Sequence, residues 1–191
     1  MESRVNTIVP LERLGVIIGK DGEVKERVER QFEVTIRVSS ESGVVEVAPR
    51  EGSSDPTTVL RARDVVTAIG RGFAPEKAFM LVDDDIVIDF IDLRELFGKS
   101  ESDIKRIKGR VIGREGKIRR LIEELAEANV VVYGHTIGML GEFEAVSAAR
   151  EAIEMLIKGK QHSSVYKFLR RTKVEAKRRK TLELLEKRVR V

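Results

Sequence analysis

A segment that occurs twice constrains this chain more than anything else in its sequence. Gly15-Val-Ile-Ile-Gly19-Lys20-Asp21-Gly22 returns as Gly109-Arg-Val-Ile-Gly113-Arg114-Glu115-Gly116. Each copy is an apolar approach, a glycine, a base, an acid and a second glycine. An amphipathic segment follows both, with Val24, Val28 and Phe32 in the first and Ile118, Leu121, Ile122 and Leu125 in the second. The copies lie 94 residues apart, 113 against 19 and 116 against 22. One Gly-x-x-Gly carries little information. Two in the same context, at a domain-sized spacing, indicate a duplicated module, and 191 residues leave room for two small domains, each with a modest core.

The chemistry of that turn suits a sugar-phosphate backbone. Glycine lacks a Cβ, so it reaches backbone angles closed to other residues and lets a second chain approach closely. Two glycines bracketing a two-residue tip ahead of a helix leave unpaired N–H groups at a positive helix end, where a phosphate fits. Lys20 and Arg114 at the tips add a charge-assisted contact. Asp21 and Glu115 oppose a pure charge trap, so the backbone has to carry much of any phosphate contact. A tight helix–helix turn that needs glycine for packing alone is the plainer alternative, weaker for two copies than for one.

Composition narrows the field. There is no apolar run of about 18 residues, so no membrane-spanning helix is expected, and the N-terminus is too charged for a signal peptide. The absence of cysteine excludes disulfides, thiolate metal sites and cysteine nucleophiles, and it fits a reducing cytoplasm. With 36% charged residues and only two Asn and two Gln, the composition leans towards a thermophile. Charge is unevenly spread. Residues 158–191 hold 13 Lys and Arg against three acids, a net +10, and since the whole chain carries +4, residues 1–157 carry −6. Such a one-ended excess, concentrated in Lys177, Arg178, Arg179 and Lys180 and in Lys187, Arg188 and Arg190, is the footprint of a nucleic-acid partner. A solvated helix is the plainer reading of the same charges.

Periodicity gives the order β-α-α-β-β-α twice, an α+β fold. The first pass has a strand at 4–9, a short helix from Pro10 through Leu14, the turn, a helix at 23–32 and strands at 34–38 and 44–48. A helix then starts at Asp55-Pro56, with Asp55 as N-cap, and carries Val59, Ala62, Val66 and Ile69 on one face. The pass closes near Phe73, and residues 74–81 read as a linker broken by Pro75. The second pass has a strand at 86–91, a longer stretch at 92–102, a helix leading to Gly109, a helix at 117–127, strands at 130–133 and 135–140, and an alanine-rich helix at 143–157. The expected domains are 1–73 and 82–159, followed by a basic helical extension over 160–191. Val165, Phe168, Leu169, Thr172 and Ala176 share one face of that extension and dock its first half on the second domain.

This order, with Val/Ile-Ile-Gly-x-x-Gly between its first two helices, resembles the type I KH domain, in tandem over nearly all of residues 4–157. The second half resembles one family more closely. Asp92-Leu-Arg with Lys99-Ser-Glu-Ser-Asp103, then Arg106-Ile-Lys-Gly-Arg-Val-Ile-Gly113-Arg-Glu-Gly116, and Gly159-Lys-Gln-His162-Ser-Ser-Val-Tyr166-Lys-Phe-Leu169 are similar to the Partner-of-Nob and KRR-motif proteins. Those are assembly factors of the small ribosomal subunit, with archaeal members of about this length. The resemblance implies binding of single-stranded pre-ribosomal RNA near the 3′ end of the 16S rRNA, beside the endonuclease and the dimethyltransferase that mature that end. It also implies the site. Gly19, Lys20, Asp21 and Gly22, and likewise Gly113, Arg114, Glu115 and Gly116, would hold the backbone of about four nucleotides. The apolar groove under the bases would draw on Ile17, Ile18, Val24 and Val28 in the first domain and on Val111, Ile112, Ile118 and Ile122 in the second. Lys108, Arg110, Lys117, Arg119 and Arg120 crowd the second site with positive charge. The first has Lys20, Lys25 and Arg27 interleaved with Glu23, Glu26 and Glu29, so the second is the stronger RNA binder on charge. Eukaryotic relatives often have a degenerate first motif, whereas Gly19–Gly22 is intact here, which leaves the first domain open to RNA, protein or both.

Enzymatic readings fail on spacing. A P-loop needs four residues between its first Gly and the Gly-Lys pair and then Ser or Thr; Gly15 to Gly19-Lys20 has three, and Asp21 follows. No Gly-x-Gly-x-x-Gly is present. His135 and His162 have no evident triad or metal partner, and Asp83-Asp-Asp85 reads as a solvated lead into a strand, where adjacent side chains diverge. No catalytic set, metal site or cofactor site is expected. Two other classes stay open: a helix-hairpin-helix DNA binder, which the strands after each turn oppose, and a protein scaffold whose basic tail is its main RNA contact.

Overall fold

The computed structural model, which describes residues 4–50 and 56–189, shows the β-α-α-β-β-α order once as expected and a second time with one extra short helix after its first strand. The first run is β1 (Val5–Ile8), α1 (Leu11–Ile18), a 3-10 turn (Lys20–Gly22), α2 (Glu23–Phe32), β2 (Val34–Val38), β3 (Val44–Pro49) and α3 (Pro56–Gly70). Then come α4 (Pro75–Ala78) and a second 3-10 turn (Phe79–Val82). The second run is β4 (Ile86–Asp92), α5 (Leu93–Phe97), α6 (Glu101–Ile112), a 3-10 turn (Arg114–Gly116), α7 (Lys117–Ala126), β5 (Asn129–Tyr133), β6 (Thr136–Glu142) and α8 (Phe143–Ile157), and α9 (His162–Val189) follows it. Asp55, expected as a helix cap, and Arg190 lie outside the described residues, as do the side chains of Lys187 and Arg188.

The strands of the first sheet lie in the order β1-β3-β2, paired antiparallel, with Val5 opposite Val47, Ile36 opposite Val47 and Val38 opposite Val45. Alternation with period two puts Val34, Ile36, Val45 and Val47 on the buried face. The second sheet has the order β4-β6-β5, again with the last strand of the three in the middle.

Internal contacts group Met1–Ile91 with Val131–Leu140, and Asp92–Val130 with Gly141–Val191. In the first unit α3 buries Val59, Ala62, Val66 and Ile69, as its spacing predicts, and Val65 and Ala68 besides. These pack with Ile17, Val28 and Phe32 and with the inner face of the first sheet. Arg13 ties α1 to the end of α3, its guanidinium donating to the Ile69 carbonyl (3.0 and 2.8 Å) and to the Phe73 carbonyl (2.9 Å). In the second unit, Ile104, Ile107 and Val111 of α6, Ile122 of α7, Ala149, Ile153 and Leu156 of α8, and Val165 and Leu169 of α9 are buried. There α9 lies along α7 and α8.

Three expectations need correction. Residues 74–81 are not a bare connector. Pro75 starts a short helix, because its missing N–H would have had no partner in a first turn anyway. Ala78, Phe79 and Leu81 then join the core of the first unit, and the Arg27 guanidinium lies 3.9 Å over the Phe79 ring. Helix α1 does not stop at Leu14, nor α6 at Gly109; both run through their glycine to Ile18 and Ile112. The stretch 92–102 contains α5, whose start is capped by the Asp92 carboxylate accepting from the Arg94 N–H at 2.8 Å.

Phe79 separates the two descriptions of residues 74–81. It is only 7% exposed, so Phe79→Ala should destabilise the protein by about 3–5 kcal/mol, the usual cost of emptying a core phenylalanine site. A urea titration reads this; a linker side chain would leave the midpoint unchanged.

Candidate nucleic-acid interface

Each glycine-bracketed turn is built the same way. Gly19 has φ/ψ of 77°/175° and Gly113 has 70°/178°, a region open to glycine alone. The tip acids take the left-handed conformation, Asp21 at 52°/20° and Glu115 at 53°/27°, and Gly22 (88°/2°) and Gly116 (73°/15°) close the turn. A Cβ on Gly19 would lie 2.6 Å from the Val24 Cγ2 and 2.8 Å from its backbone N; one on Gly113 would lie 2.2 Å from the Ile118 Cγ1. The first glycine of each turn is therefore required twice over, by angle and by space. The second is required by angle only, since a Cβ on Gly22 or Gly116 meets just one side-chain tip, at 3.7 and 3.6 Å.

Those two tips differ in sign. The atom nearest a Gly22 Cβ is the Glu26 Oε1, and the atom nearest a Gly116 Cβ is the Arg120 Nη1. The helices that follow, α2 and α7, start with no side-chain cap at Gly22 and Gly116, and their first amides, on Glu23 and Lys117, donate to the Lys20 and Arg114 carbonyls. Lys20, Arg114, Lys117 and Arg120 are exposed around the turns. The second turn thus carries three exposed cations beside a positive helix end.

Other expected contacts are already engaged. Lys25 pairs with Glu29 at 3.3 Å, and Arg119 pairs with Glu123 at 2.9 Å while also donating to the Val130 carbonyl at 3.1 Å. The two glutamates do the same job: the Glu29 Oε1 accepts the Ile36 N–H at 2.7 Å and the Glu123 Oε1 accepts the Val130 N–H at 2.9 Å. Each clips the helix after the turn to the strand after that helix. Sequence reasoning missed this pair, although Glu29 and Glu123 stand at the repeat spacing. Arg110 donates to the Lys160 carbonyl at 2.7 Å, and the His162 Nε2 lies 3.2 Å from the Arg110 carbonyl, so this arginine joins the end of α6 to the start of α9.

The apolar list divides. Ile17, Val28, Val111 and Ile122 are sealed in the core, while Ile18, Val24, Ile112 and Ile118 reach the surface beside the turns. The tail divides as well. Arg179 pairs with Glu144, Lys180 with Glu142 at 3.1 Å, and Lys173 with Glu127 at 3.0 Å. The hydrogen bond from Lys173 holds the Glu127 carboxyl below its ordinary range, and the one to Glu142 raises the Lys180 ammonium. Lys177 and Arg178 are exposed.

Comparison with known proteins fits this geometry. A family model for the second KH domain of PNO1, a eukaryotic-type KH domain of type I, matches residues 87–174. A KH domain-containing protein of Methanocaldococcus jannaschii is 46% identical over 170 residues, 89% of this chain and 74% of that protein. The chain belongs to the PNO1/Dim2 family of KH-domain proteins. The pre-rRNA-processing protein pno1 of Schizosaccharomyces pombe is 29% identical over 145 residues, which cover 75% of this chain and 60% of that longer protein. A crystal structure of a complex of a/eIF2alpha, aDim2p and rRNA from Pyrococcus horikoshii OT3 contains a chain with a TM-score of 0.84 and 37% identity, covering 92% of this chain and 96% of that one.

In this PNO1/Dim2 chain the two glycines of a turn should respond differently to a methyl group. Gly113→Ala places a Cβ against Ile118 in a glycine-only region and should cost more than about 3 kcal/mol. Gly116→Ala pays only for left-handed backbone, about 1–2 kcal/mol. Thermal and urea unfolding of the two variants checks the order; equal losses would mean that the contact with Ile118 is not what fixes the turn.

Proposed function

We propose that this chain is a non-catalytic, single-stranded RNA-binding protein of two tandem type I KH domains and a basic C-terminal helix, acting in small-subunit ribosome assembly in the cytoplasm. Its target is 16S rRNA or its precursor near the 3′ end, where it works beside the endonuclease and dimethyltransferase of that region. The observation that carries the proposal is the pair of matching turns, each opening a helix that has no side-chain cap and each carrying an exposed basic tip. The rRNA in the complex with the Pyrococcus relative and the pre-rRNA-processing name of the Schizosaccharomyces one support it. Among the described residues no helix is long and apolar enough to cross a membrane, and no three acidic or histidine side chains converge on a metal-sized site. The a/eIF2alpha chain beside the Pyrococcus relative favours one addition, a protein-docking role alongside RNA binding.

The two turns carry unequal loads. Arg120 and Glu26 occupy matching places over the second glycine, so phosphate is drawn to one turn and repelled at the other. Lys177 and Arg178 add sequence-independent contacts, and Arg179 and Lys180 less, since each must first leave a glutamate.

Equilibrium binding should favour single-stranded over duplex RNA and weaken steeply as salt rises, because phosphate contacts release counterions; equal or tighter binding to duplex DNA would sink the reading. Replacing Arg114 and Glu115 by two aspartates should weaken binding by about 1–3 kcal/mol, the scale of a lost charge-assisted contact with added repulsion. Lys20→Asp should cost less, and Glu26→Arg should strengthen binding. A larger loss at Lys20 than at Arg114 would reverse the ranking of the two turns.

A further inference from the structure

Helix α9 packs on α7 and α8, and its Val165 and Leu169 are fully buried. One and two turns further on, the same face of α9 carries only Thr172 and Ala176, and α8 brings Ala145 and Ala148 to the same space. These side chains are too short to meet across it. A groove of about 450 Å³ remains within the second unit, lined also by Leu125 and Phe168. Phe143, the first residue of α8, lines it too and is 72% exposed, more than any other large apolar side chain described in this unit. Unfilled space between helices forfeits dispersion contacts, and an exposed phenylalanine forfeits burial. Both features cost the free protein stability, and both would be put to use by a chain laid in the groove.

The two walls of the groove differ in sign. Glu127 ends α7, and Glu142, Glu144 and Glu151 come from the start of α8 and the residue before it. From α9 come Lys173, Lys177 and Lys180, which the helical period places in one line at i, i+4 and i+7. Ion pairs join the walls, Lys173 with Glu127 at 3.0 Å, Lys180 with Glu142 at 3.1 Å and Arg179 with Glu144. Such exposed pairs are weak, so a carboxylate on an incoming chain exchanges readily for one of these glutamates. Four carboxylates on one wall oppose a polyanion, which sets the groove apart from the glycine turns. What complements it is a rod with an apolar ridge, acids along one edge and bases along the other, and a helix laid between two helices has that form. We propose that this groove docks an amphipathic helix of a partner protein, its apolar ridge against Phe143 and Phe168 and its acidic edge against Lys173, Lys177 and Lys180. The inference rests on the protein-docking role added above and is independent of the RNA reading.

The probe is a fluorescein-labelled helical peptide of about 18 residues, with leucines at i, i+3, i+4 and i+7 spacing, glutamates along one flank and lysines along the other. Fluorescence anisotropy with the full chain should give saturable binding with a Kd of about 10–100 µM, and a peptide with serine in place of leucine should not bind. Phe143→Ser removes an exposed side chain and Ala176→Phe fills the groove; each should weaken peptide binding about tenfold. The melting temperature of Phe143→Ser and the single-stranded RNA affinity of both variants should stay those of the wild type. Absence of saturable binding by the wild-type protein up to about 1 mM peptide overturns the proposal. Peptide binding that neither variant changes moves docking off this groove, which overturns the surface but not the docking role. RNA affinity that falls in both variants as far as peptide affinity makes the groove an RNA surface. Sedimentation showing a dimer that Phe143→Ser dissociates makes a second copy the occupant. Either of these results also overturns the proposal.

Discussion

The chain can reverse direction between α1 and α2, and between α6 and α7, because nothing projects from Gly19 and Gly113 under the helix that follows. Val24 and Ile118 occupy that space, packed onto the glycine backbone, and this contact sets where each second helix begins. The same contact leaves Val24 and Ile118 half-exposed at the rim of the turn, and Ile18 and Ile112, which immediately precede the first glycine, also reach the surface. Glu29 and Glu123 then fix the far end of each second helix by taking a strand N–H (2.7 and 2.9 Å). Turn, rim and strand are therefore one mechanical unit in each copy. A buried amide left without its carboxylate costs about 1–3 kcal/mol, so these glutamates hold the unit together although they never face a ligand.

Much of this was legible in the sequence, and the parts that were not share a physical reason. The helices at 23–32 and 143–157 and the strand at 34–38 have the expected bounds because their periodicity is uninterrupted. The sequence reading ends α1 at Leu14 and α6 at Gly109, short of their true ends at Ile18 and Ile112. A helical glycine costs only about 1 kcal/mol, less than burying side chains such as Leu14 and Ile17 on α1 contributes. The four-residue α4 spans barely one helical turn and so shows no repeat of the helical period, which is why Pro75 reads as a break although it is a start. Periodicity also cannot say which apolar residues beside the turn face inward. Ile17 and Ile18 are neighbours in sequence, yet one is core and the other surface. The partners of Arg110, at 50 residues' separation, and of Lys180, at 38, lie beyond any local pattern.

Charge counting does not show which cations of the tail are paired. Residues 158–191 hold thirteen cations, but α9 lies along α7 and α8, and Glu127, Glu142 and Glu144 pair with Lys173, Lys180 and Arg179. Exposed pairs of this kind contribute about 0–1 kcal/mol each to stability. They do lower the charge offered to a polyanion, because Arg179 and Lys180 must leave a carboxylate before they can meet a phosphate. The cations at the second turn carry no such cost. Arg114, Lys117 and Arg120 are exposed, at the end of a helix whose dipole has the same sign.

Duplication preserved one property of the turn and released another. Backbone angles agree between copies to within about 15° at the two glycines and the tip acid of the motif, because sterics leave them little choice. Side chains around the rim are under no such constraint, and there the copies part: Glu26 against Arg120, Leu11 against Lys105. Even the acid at the tip is compatible with anion binding. Held at positive φ, Asp21 and Glu115 are exposed to water, which screens them. A turn whose geometry is set by glycine can therefore bind strongly or weakly according to charges one helical turn away, without any change in its shape. The fold supplies two similar turns, and under the proposed reading the rim decides how much of a phosphate's attraction each one receives.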